Sequence, residues 1–412
     1  MKQIRSILLT VVLFSACKTI SEPVISIPQD AKPLAMRVGL EKRIDQDNDF
    51  AFDLLKQSLQ TSGESNVFIS PLSVSIALGM IWNGANGNTR TEMGIALKMD
   101  GMSATDINEY YKTMQTTLPG MDPTTKLNIA NSLWYKEGYP LKADFLKLNT
   151  DYFNAEVRSL DFEKAWAVDT INNWCARKTN QLIPKVLNEI SRDAAAFLIN
   201  AVYFKGIWRK KFDKKNTEEA LFTDEKGQQL KVNMMYQKDT FAYSADATAQ
   251  YLDMPYGNKA FNMTVILPNE GKTTADVLNN LTTESWNNRL SFLKTREVEV
   301  FFPRFKQECK FELKDALQNM GMKQAFTDFA DFSNMTDKRV KISFVKHDTY
   351  VEVTEEGTEA AAVTVVGIEF TSIQEPPVTP VFRVNKPFVF VIREKSTGVI
   401  LFIGKMGKIE KY

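Results

Sequence analysis

The 412-residue chain contains a single histidine, His347, and only three cysteines. A Ser-His-Asp triad, a histidine general base or a multi-histidine metal site would all have to use that one residue. Three cysteines exclude a disulfide framework and any four-cysteine zinc or iron–sulfur site. No serine stands in a Gly-x-Ser-x-Gly elbow, so an exported hydrolase that uses His347 is only a remote alternative. We therefore expect a protein that is not an enzyme and that has no cofactor and no metal site.

An excess of charge of one sign is also absent. The 51 Lys and Arg residues balance 50 Asp and Glu residues, and the formal net charge is +1. This balance, together with the absence of a long basic run, argues against nucleic-acid binding. The hydrophobic content of 44% is that of an ordinary globular protein. Because no repeat or second Pro-rich linker follows residue 46, we predict one domain over 47–412, and we expect a monomer.

The N-terminus has the pattern of an export signal. Lys2 and Arg5 precede an apolar run over 7–14, which is too short to span a bilayer but suits the core of a signal peptide. The run ends in a sequence that resembles a bacterial lipobox, Phe14-Ser15-Ala16-Cys17. Residues 1–16 are then the signal peptide, and Cys17 is the lipidated first residue of the mature protein. An ordinary secretory signal with a chance cysteine is the alternative.

The lipobox-like sequence predicts the location of the protein. We expect an exported protein that is anchored to the bacterial outer membrane, on either its periplasmic or its surface face, and that is otherwise secreted. Membrane contact would then occur only through the lipid. Three prolines after Cys17, with few large apolar side chains among them, predict a tether over 17–46.

Helical patterns dominate the first half of the domain, and strand patterns dominate the second. Asn48 or Asp49 is predicted to cap one helix, and a second is predicted to run from Asp169 or Thr170 to Thr179. Five later segments have the composition of strands: 251–256, 263–267, 297–302, 388–392 and 399–403. This order predicts an α+β fold with mainly antiparallel sheets.

One segment alternates like a strand but is flanked like a loop. Gly357 gives its backbone conformational freedom. The even positions that follow carry no charge: Thr358, Ala360, Ala362, Thr364, Val366 and Ile368. Alternate residues of a strand face opposite sides, so this even face could enter a sheet. Prolines at 376, 377 and 380 are nevertheless typical of an exposed loop, and an ordinary strand and turn is the alternative.

Several motifs, taken together and in order, resemble the serpin superfamily from residue 47 to the C-terminus. They are Asn66–Ser75 (NVFISPLSVS), Asn200–Trp208 (NAVYFKGIW) with Phe212 and Thr217, Met254–Tyr256, Val265–Pro268, Phe301–Phe305, Glu355–Thr364 (EEGTEAAAVT), Phe382–Phe388 and Leu401–Lys405. The resemblance implies the serpin fold, in which helices pack on mainly antiparallel sheets and a reactive loop, here about 355–380, is exposed.

The resemblance also implies a mechanism. In inhibitory serpins a protease attacks the loop, the hinge side of the loop inserts into the main sheet as an extra strand, and the protease is trapped as an acyl-enzyme. The hinge here would comprise Glu355, Glu356, Gly357, Thr358, Glu359, Ala360, Ala361, Ala362, Val363 and Thr364. Non-inhibitory serpins usually carry a charge or bulky residue at such positions, so this hinge favours an inhibitor. A non-inhibitory serpin that acts as a carrier or binding module is the alternative.

Family spacing from Glu355 places the reactive bond at Thr371–Ser372, with Phe370–Thr371 as the alternative. Thr371 before the cut suits elastase-like proteases, and Phe370 there suits chymotrypsin-like ones. With Phe370 in the second position, papain-like cysteine proteases are a further candidate class. Neither Lys nor Arg lies between residues 357 and 380, so trypsin-like proteases are expected to be poor targets.

Buried polar residues gain roles from the same resemblance. Ser70, Ser73, Asn200 and His347 correspond to the serpin shutter, where strands part to admit the loop. Trp208 corresponds to the tryptophan of the breach, where the hinge enters. Taken alone, His347 would be interpreted as a hydrogen-bonded core residue and Trp208 as a core aromatic. The two remaining cysteines, Cys175 and Cys309, are most simply buried free thiols, and their pairing stays open.

Overall fold

A computed structural model describes residues 29–191, 194–357 and 379–411. The α-helices in these ranges are α1 Glu41–Ser62, α2 Pro71–Trp82, α3 Gly87–Ala96, α4 Ala104–Thr117, α5 Ala143–Phe153, α6 Trp166–Lys178, α7 Thr274–Asn279, α8 Thr283–Ser291 and α9 Lys314–Asn319. The strands are β1 Val67–Ile69, β2 Lys126–Lys136, β3 Glu156–Leu160, β4 Ala196–Lys205, β5 Glu218–Thr223, β6 Gln229–Ala245, β7 Ala249–Pro255, β8 Phe261–Pro268, β9 Lys294–Pro303, β10 Phe305–Glu312, β11 Lys346–Val353, β12 Val381–Arg383, β13 Phe388–Glu394 and β14 Ile400–Met406.

The described strands form three sheets. The largest has the order β1-β14-β13-β8-β7-β6-β9-β12, with β5 paired to β6. A second sheet has the order β3-β2-β4, and the third contains β10 and β11. Only the β9–β12 and β2–β3 pairs are parallel among the described pairs. The predicted α+β fold with mainly antiparallel sheets is therefore confirmed.

Helix α2 occupies the centre of the molecule. Ten of its twelve residues are buried, and a helix that is apolar on all sides is stable only inside a core. It contacts β4 on one side and β14 of the largest sheet on the other. Every residue of β8 and β13 is buried as well. The first turn of α2 is thereby fixed beneath the β3-β2-β4 sheet, a position that matters for the site described below.

Helix α1 begins at Glu41, so the predicted cap at Asn48 or Asp49 is wrong. The charged sequence before Asn48 is typical of an exposed segment, but Arg43 lies in the core and forms an ion pair with Asp47. Asn48 holds β14 instead, because its Nδ2 donates to Gly398 O at 3.1 Å and its Oδ1 accepts from Ile400 N at 3.0 Å. The preceding segment, which was predicted as tether, also contacts the body through the buried Leu34.

Other elements lie close to their predicted positions. Strands β7, β8, β9, β13 and β14 contain or overlap the five predicted strand segments. Helix α6 begins three residues before Asp169 and ends at Lys178. These strand predictions are confirmed. They were possible because each segment has a strong local composition signal.

The two described cysteines are free and buried. Burial raises the pKa of Cys175 to about 12 and that of Cys309 to about 11. Both are therefore protonated, unreactive thiols at neutral pH, and the prediction of free buried thiols is confirmed. Among the described helices, none combines the length and apolar character required to cross a bilayer.

Candidate functional site

Strands β4 and β11 lie side by side and run in the same direction. Near their N-terminal ends the rings of Phe197 and Phe344 are 5.8 Å apart. Just beyond their C-terminal ends Trp208 Nε1 donates to Thr354 O at 3.0 Å. Within the described ranges no backbone pairing joins these two strands, because β4 pairs with β2 and β11 pairs with β10. The two strands therefore border an interval between two sheets, which we call the β4–β11 cleft.

The first turn of α2 holds both borders of this cleft. Ser70, which precedes the helix, donates its backbone N–H to His347 Nε2 of β11 at 2.9 Å. Ser73, on the same turn, donates its hydroxyl to Asn200 Oδ1 of β4. One helical turn is thus hydrogen-bonded to a side chain from each border strand. The structure brings together these four residues, which the family resemblance had assigned to the shutter.

The polar network continues beyond the predicted residues. Asn200 Nδ2 donates to Asn131 Oδ1 of β2 at 2.6 Å. Asn131 in turn donates to Gln115 of α4 and, at 2.9 Å, to Phe153 O. Sequence analysis missed Asn131 and Gln115. Asn131 lies in a strand that also contains Asn128 and Ser132, so nothing in the local sequence distinguishes it from its polar neighbours.

Burial gives His347 an unusual protonation. It lowers the pKa of the imidazole to about 4, so His347 is neutral at physiological pH. Because Nε2 accepts the Ser70 N–H, the ring proton resides on Nδ1. Protonation of Nε2 would remove this acceptor and place a charge beneath the cleft.

We therefore expect His347 to destabilise the fold as the pH falls from 6.5 toward 4. In this window the unfolded chain binds a proton on His347 and the folded chain does not, so acidification favours unfolding. The full difference is about 3 kcal/mol at pH 4, at 1.36 kcal/mol per pKa unit. The measurement is the thermal midpoint of the wild type and of His347→Gln between pH 4 and 7.

The comparison between variants matters because Asp348 acts in the opposite direction. Burial raises the pKa of Asp348 to about 6, so its protonation stabilises the folded chain in the same window. The wild type should lose stability relative to His347→Gln as the pH falls. Parallel pH curves for the two proteins would contradict the assignment.

Gly357 lies at the end of the cleft where β4 and β11 terminate, which we call its upper end. The chain reverses after β11, where Thr354 N donates to Gly357 O at 2.8 Å and Gly357 N donates to Thr354 O at 3.2 Å. Gly357 also forms an antiparallel bridge with Ile207, just beyond β4. Its φ is +130°, and a Cβ there would lie 2.2 Å from Gly206 O. Only glycine fits this position, where the chain is antiparallel to both borders.

Trp208 closes the same end of the cleft. Its backbone N–H donates to Glu356 O at 2.9 Å, and its indole N–H binds Thr354 O. The indole stacks on Tyr256 with centroids 4.4 Å apart and an interplanar angle of 12°. Trp208 is therefore fixed against the turn that leads into the predicted hinge, at the place expected for the breach.

The two hinge glutamates are buried, and a nearby cation balances the charge of each. Glu355 accepts a hydrogen bond from Thr217 Oγ1 at 2.8 Å, and its carboxylate is 3.7 Å from Arg304 Nε. Glu356 pairs with Lys214 Nζ at 2.8 Å. Sequence analysis assigned no role to Lys214 or Arg304. Two consecutive glutamates next to a glycine suggest an exposed turn, and no local signal connects them to cations so far along the chain.

Several predicted residues lie outside the described ranges. They are Cys17, Thr358, Glu359, Ala360, Ala361, Ala362, Val363, Thr364, Phe370, Thr371 and Ser372. Their lipidation, hinge and reactive-bond roles stay predictions.

The described α+β architecture with three sheets is one that known proteins share with this chain. The model of the serpin (serine protease inhibitor) family matches residues 45–409. Iripin-2 of Ixodes ricinus is 36% identical over 369 residues, which cover 88% of this chain and 92% of that protein.

Solved structures agree with the family match. The thermophilic serpin tengpin in its native state superposes with a TM-score of 0.82 at 34% identity, over 92% of this chain and 97% of that chain. Human thyroxine-binding globulin superposes with a TM-score of 0.80 at 28% identity, over 90% and 99% of the two chains. The chain belongs to the serpin family, whose members are generally protease inhibitors and not catalysts.

Proposed function

We propose that this serpin inhibits proteases as a suicide substrate. The protease attacks the carbonyl of Thr371, or alternatively of Phe370, the following residue leaves with a free amine, and an acyl-enzyme forms. The chain from Gly357 to the cut then inserts into the β4–β11 cleft. The observation that carries the proposal is the turn at Gly357. Gly357 is hydrogen-bonded to Thr354 on the β11 side and lies opposite Ile207 in an antiparallel bridge on the β4 side, where Trp208 N–H donates to Glu356 O.

Strand direction supports insertion. Because β4 and β11 run in the same direction and the chain reverses at 354–357, a strand that continues from Gly357 runs antiparallel to both. It can exchange ladder hydrogen bonds with both borders and bury its even, uncharged face. The fourteen residue steps from Gly357 to Thr371 span about 46 Å at ~3.3 Å per residue. Such a strand releases energy that the uninserted sheet stores.

A carrier or binding role is the second candidate. It is favoured by the likeness to thyroxine-binding globulin, whose structures contain thyroxine. The hinge argues for inhibition, because Thr358 and the three alanines at 360–362 place neither a charge nor a bulky group on the even face.

The test of the proposal is a protease panel. Elastase-like, chymotrypsin-like and papain-like enzymes are mixed with the protein, and complexes that survive SDS are separated and their released C-terminal fragments weighed. We expect a fragment that begins at Ser372 or at Thr371. A carrier would be cleaved without forming a stable complex. A fragment that begins beyond Gln374, or efficient trapping of trypsin, would refute the assigned bond.

We also propose that Cys17 carries a lipid anchor. The support is the lipobox-like sequence that ends at Cys17. Cys17→Ala should lose membrane association when membranes and soluble fractions are separated. Cys309→Ala, which removes a buried free thiol of the domain, is the matched control and should partition like the wild type. Unchanged partitioning of Cys17→Ala would contradict the anchor.

A further inference from the structure

An open pocket of about 540 Å³ lies away from the β4–β11 cleft. It is formed by the last turn of α8, the end of β6, the start of β9 and a residue of β7. None of these elements supplies a shutter residue, so the pocket takes no part in the proposed loop insertion.

The pocket has aromatic walls. Tyr243 and Tyr251 line it from β6 and β7, and Phe292, which follows α8, leaves 63% of its surface exposed. An exposed phenylalanine beside two tyrosines is an apolar surface that gains free energy when another apolar group covers it. Burial raises the pKa of Tyr251 to about 12, so its ring is uncharged at neutral pH.

The pocket is also cationic. Arg289, Lys294 and Arg296 line it. The Arg289 guanidinium is 5.6 Å from the centre of the Tyr251 ring, and the Arg296 guanidinium is 6.0 Å from that of Tyr243. A cation above each ring places the positive charge where a flat ligand lying on the rings would carry its acidic group.

The neighbouring carboxylate does not cancel this charge. Asp246 pairs with Arg289 at 2.5 Å and accepts from Tyr251 Oη and from the backbone N–H groups of residues 248 and 249. Lys294 lies outside that ion pair and forms no ion pair within the described part of the chain.

We propose that this pocket binds a small organic anion with a flat aromatic body, its rings against Tyr243 and Phe292 and its acidic group toward Lys294 and Arg296, which lie on the same face of the sheet as Tyr243 in the strand register. Few, well-placed polar groups above apolar walls are the usual composition of small-molecule sites. The ligand would give the protein a binding activity independent of the reactive loop.

The test uses 2-naphthalenesulfonate as the probe and isothermal titration of the full-length mature protein. We expect one site per chain, and binding that weakens as salt is raised. The double variant Lys294→Gln/Arg296→Gln should weaken binding by about tenfold or more, since it removes two charge-assisted contacts. The uncharged match 2-naphthol should bind weakly to both proteins and change little between them.

The matched control removes the same charge elsewhere. Lys112 and Lys178 each hold their ammonium near an aromatic ring outside the pocket, and Lys112→Gln/Lys178→Gln should bind the probe like the wild type. An equal loss in this control would overturn the proposal, as would unchanged affinity in Lys294→Gln/Arg296→Gln. Tight binding of dextran sulfate that the probe cannot displace would assign the patch to polyanions and overturn it as well. Phe292→Ser tests the apolar wall and should also weaken binding.

Discussion

Thr358→Arg should convert the protein from an inhibitor into a substrate. Thr358 directly follows Gly357, whose backbone lies between Ile207 and Thr354 at the mouth of the β4–β11 cleft. Its side chain is the first of the even face that insertion would bury. An unpaired guanidinium placed there costs several kcal/mol. Cleavage should proceed at the normal rate, because the reactive bond lies thirteen residues further along the chain.

The measurement is the ratio of SDS-stable complex to cleaved serpin on reaction with the target protease. Glu359→Arg is the matched control, because it introduces the same side chain on the odd face, which does not enter the core. The control should retain most of the complex and Thr358→Arg should form little. Undiminished complex with Thr358→Arg would rule out the insertion mechanism.

The fold could be predicted from sequence to a large extent because its signals are local. The strands over 251–256 and 388–392 have an apolar composition that identifies them without their neighbours. The serine, asparagine and histidine side chains of the shutter could be predicted as a group, but only through their family resemblance. Their individual sequences indicate nothing beyond buried polar residues.

The upper end of the cleft could not be predicted in the same way. Lys214 and Arg304 neutralise Glu356 and Glu355 across long separations in the chain. Each of these four residues is of a charged type that is usually found on the exposed surface. Pairing between distant charges depends on the three-dimensional arrangement of β4, β10 and β11, and no periodicity in the sequence reports it.

Charge also explains why the start of α1 was predicted too late. Arg43 and Asp47 are four residues apart, so they lie on one face of the helix. That face is buried, with Arg43 0% and Asp47 4% exposed. An i,i+4 ion pair is usually a surface feature, and sequence alone does not distinguish a buried pair from an exposed one.

Asp47→Ala should therefore destabilise the fold strongly. Arg43 Nη2 is 2.5 Å from Asp47 Oδ1, and the guanidinium also donates to the carbonyls of Leu97 and Lys98 at 3.0 and 2.8 Å. Although burial lowers the pKa of Arg43, the Asp47 carboxylate raises it above its usual value, so the guanidinium stays charged. Removing one partner of such a pair leaves a buried charge uncompensated and costs about 3–5 kcal/mol.

For a folded body of about 370 residues this loss corresponds to a thermal midpoint roughly 4–6 °C lower, measured by circular dichroism. Asp151→Ala is the matched control, because Lys147 and Asp151 form an i,i+4 pair that is exposed, and it should change the midpoint little. The double variant Arg43→Met/Asp47→Ala should recover part of the loss, since it removes the stranded charge along with its partner. A midpoint for Asp47→Ala equal to that of Asp151→Ala, or a double variant less stable than Asp47→Ala, would show that the buried charge is not the cause.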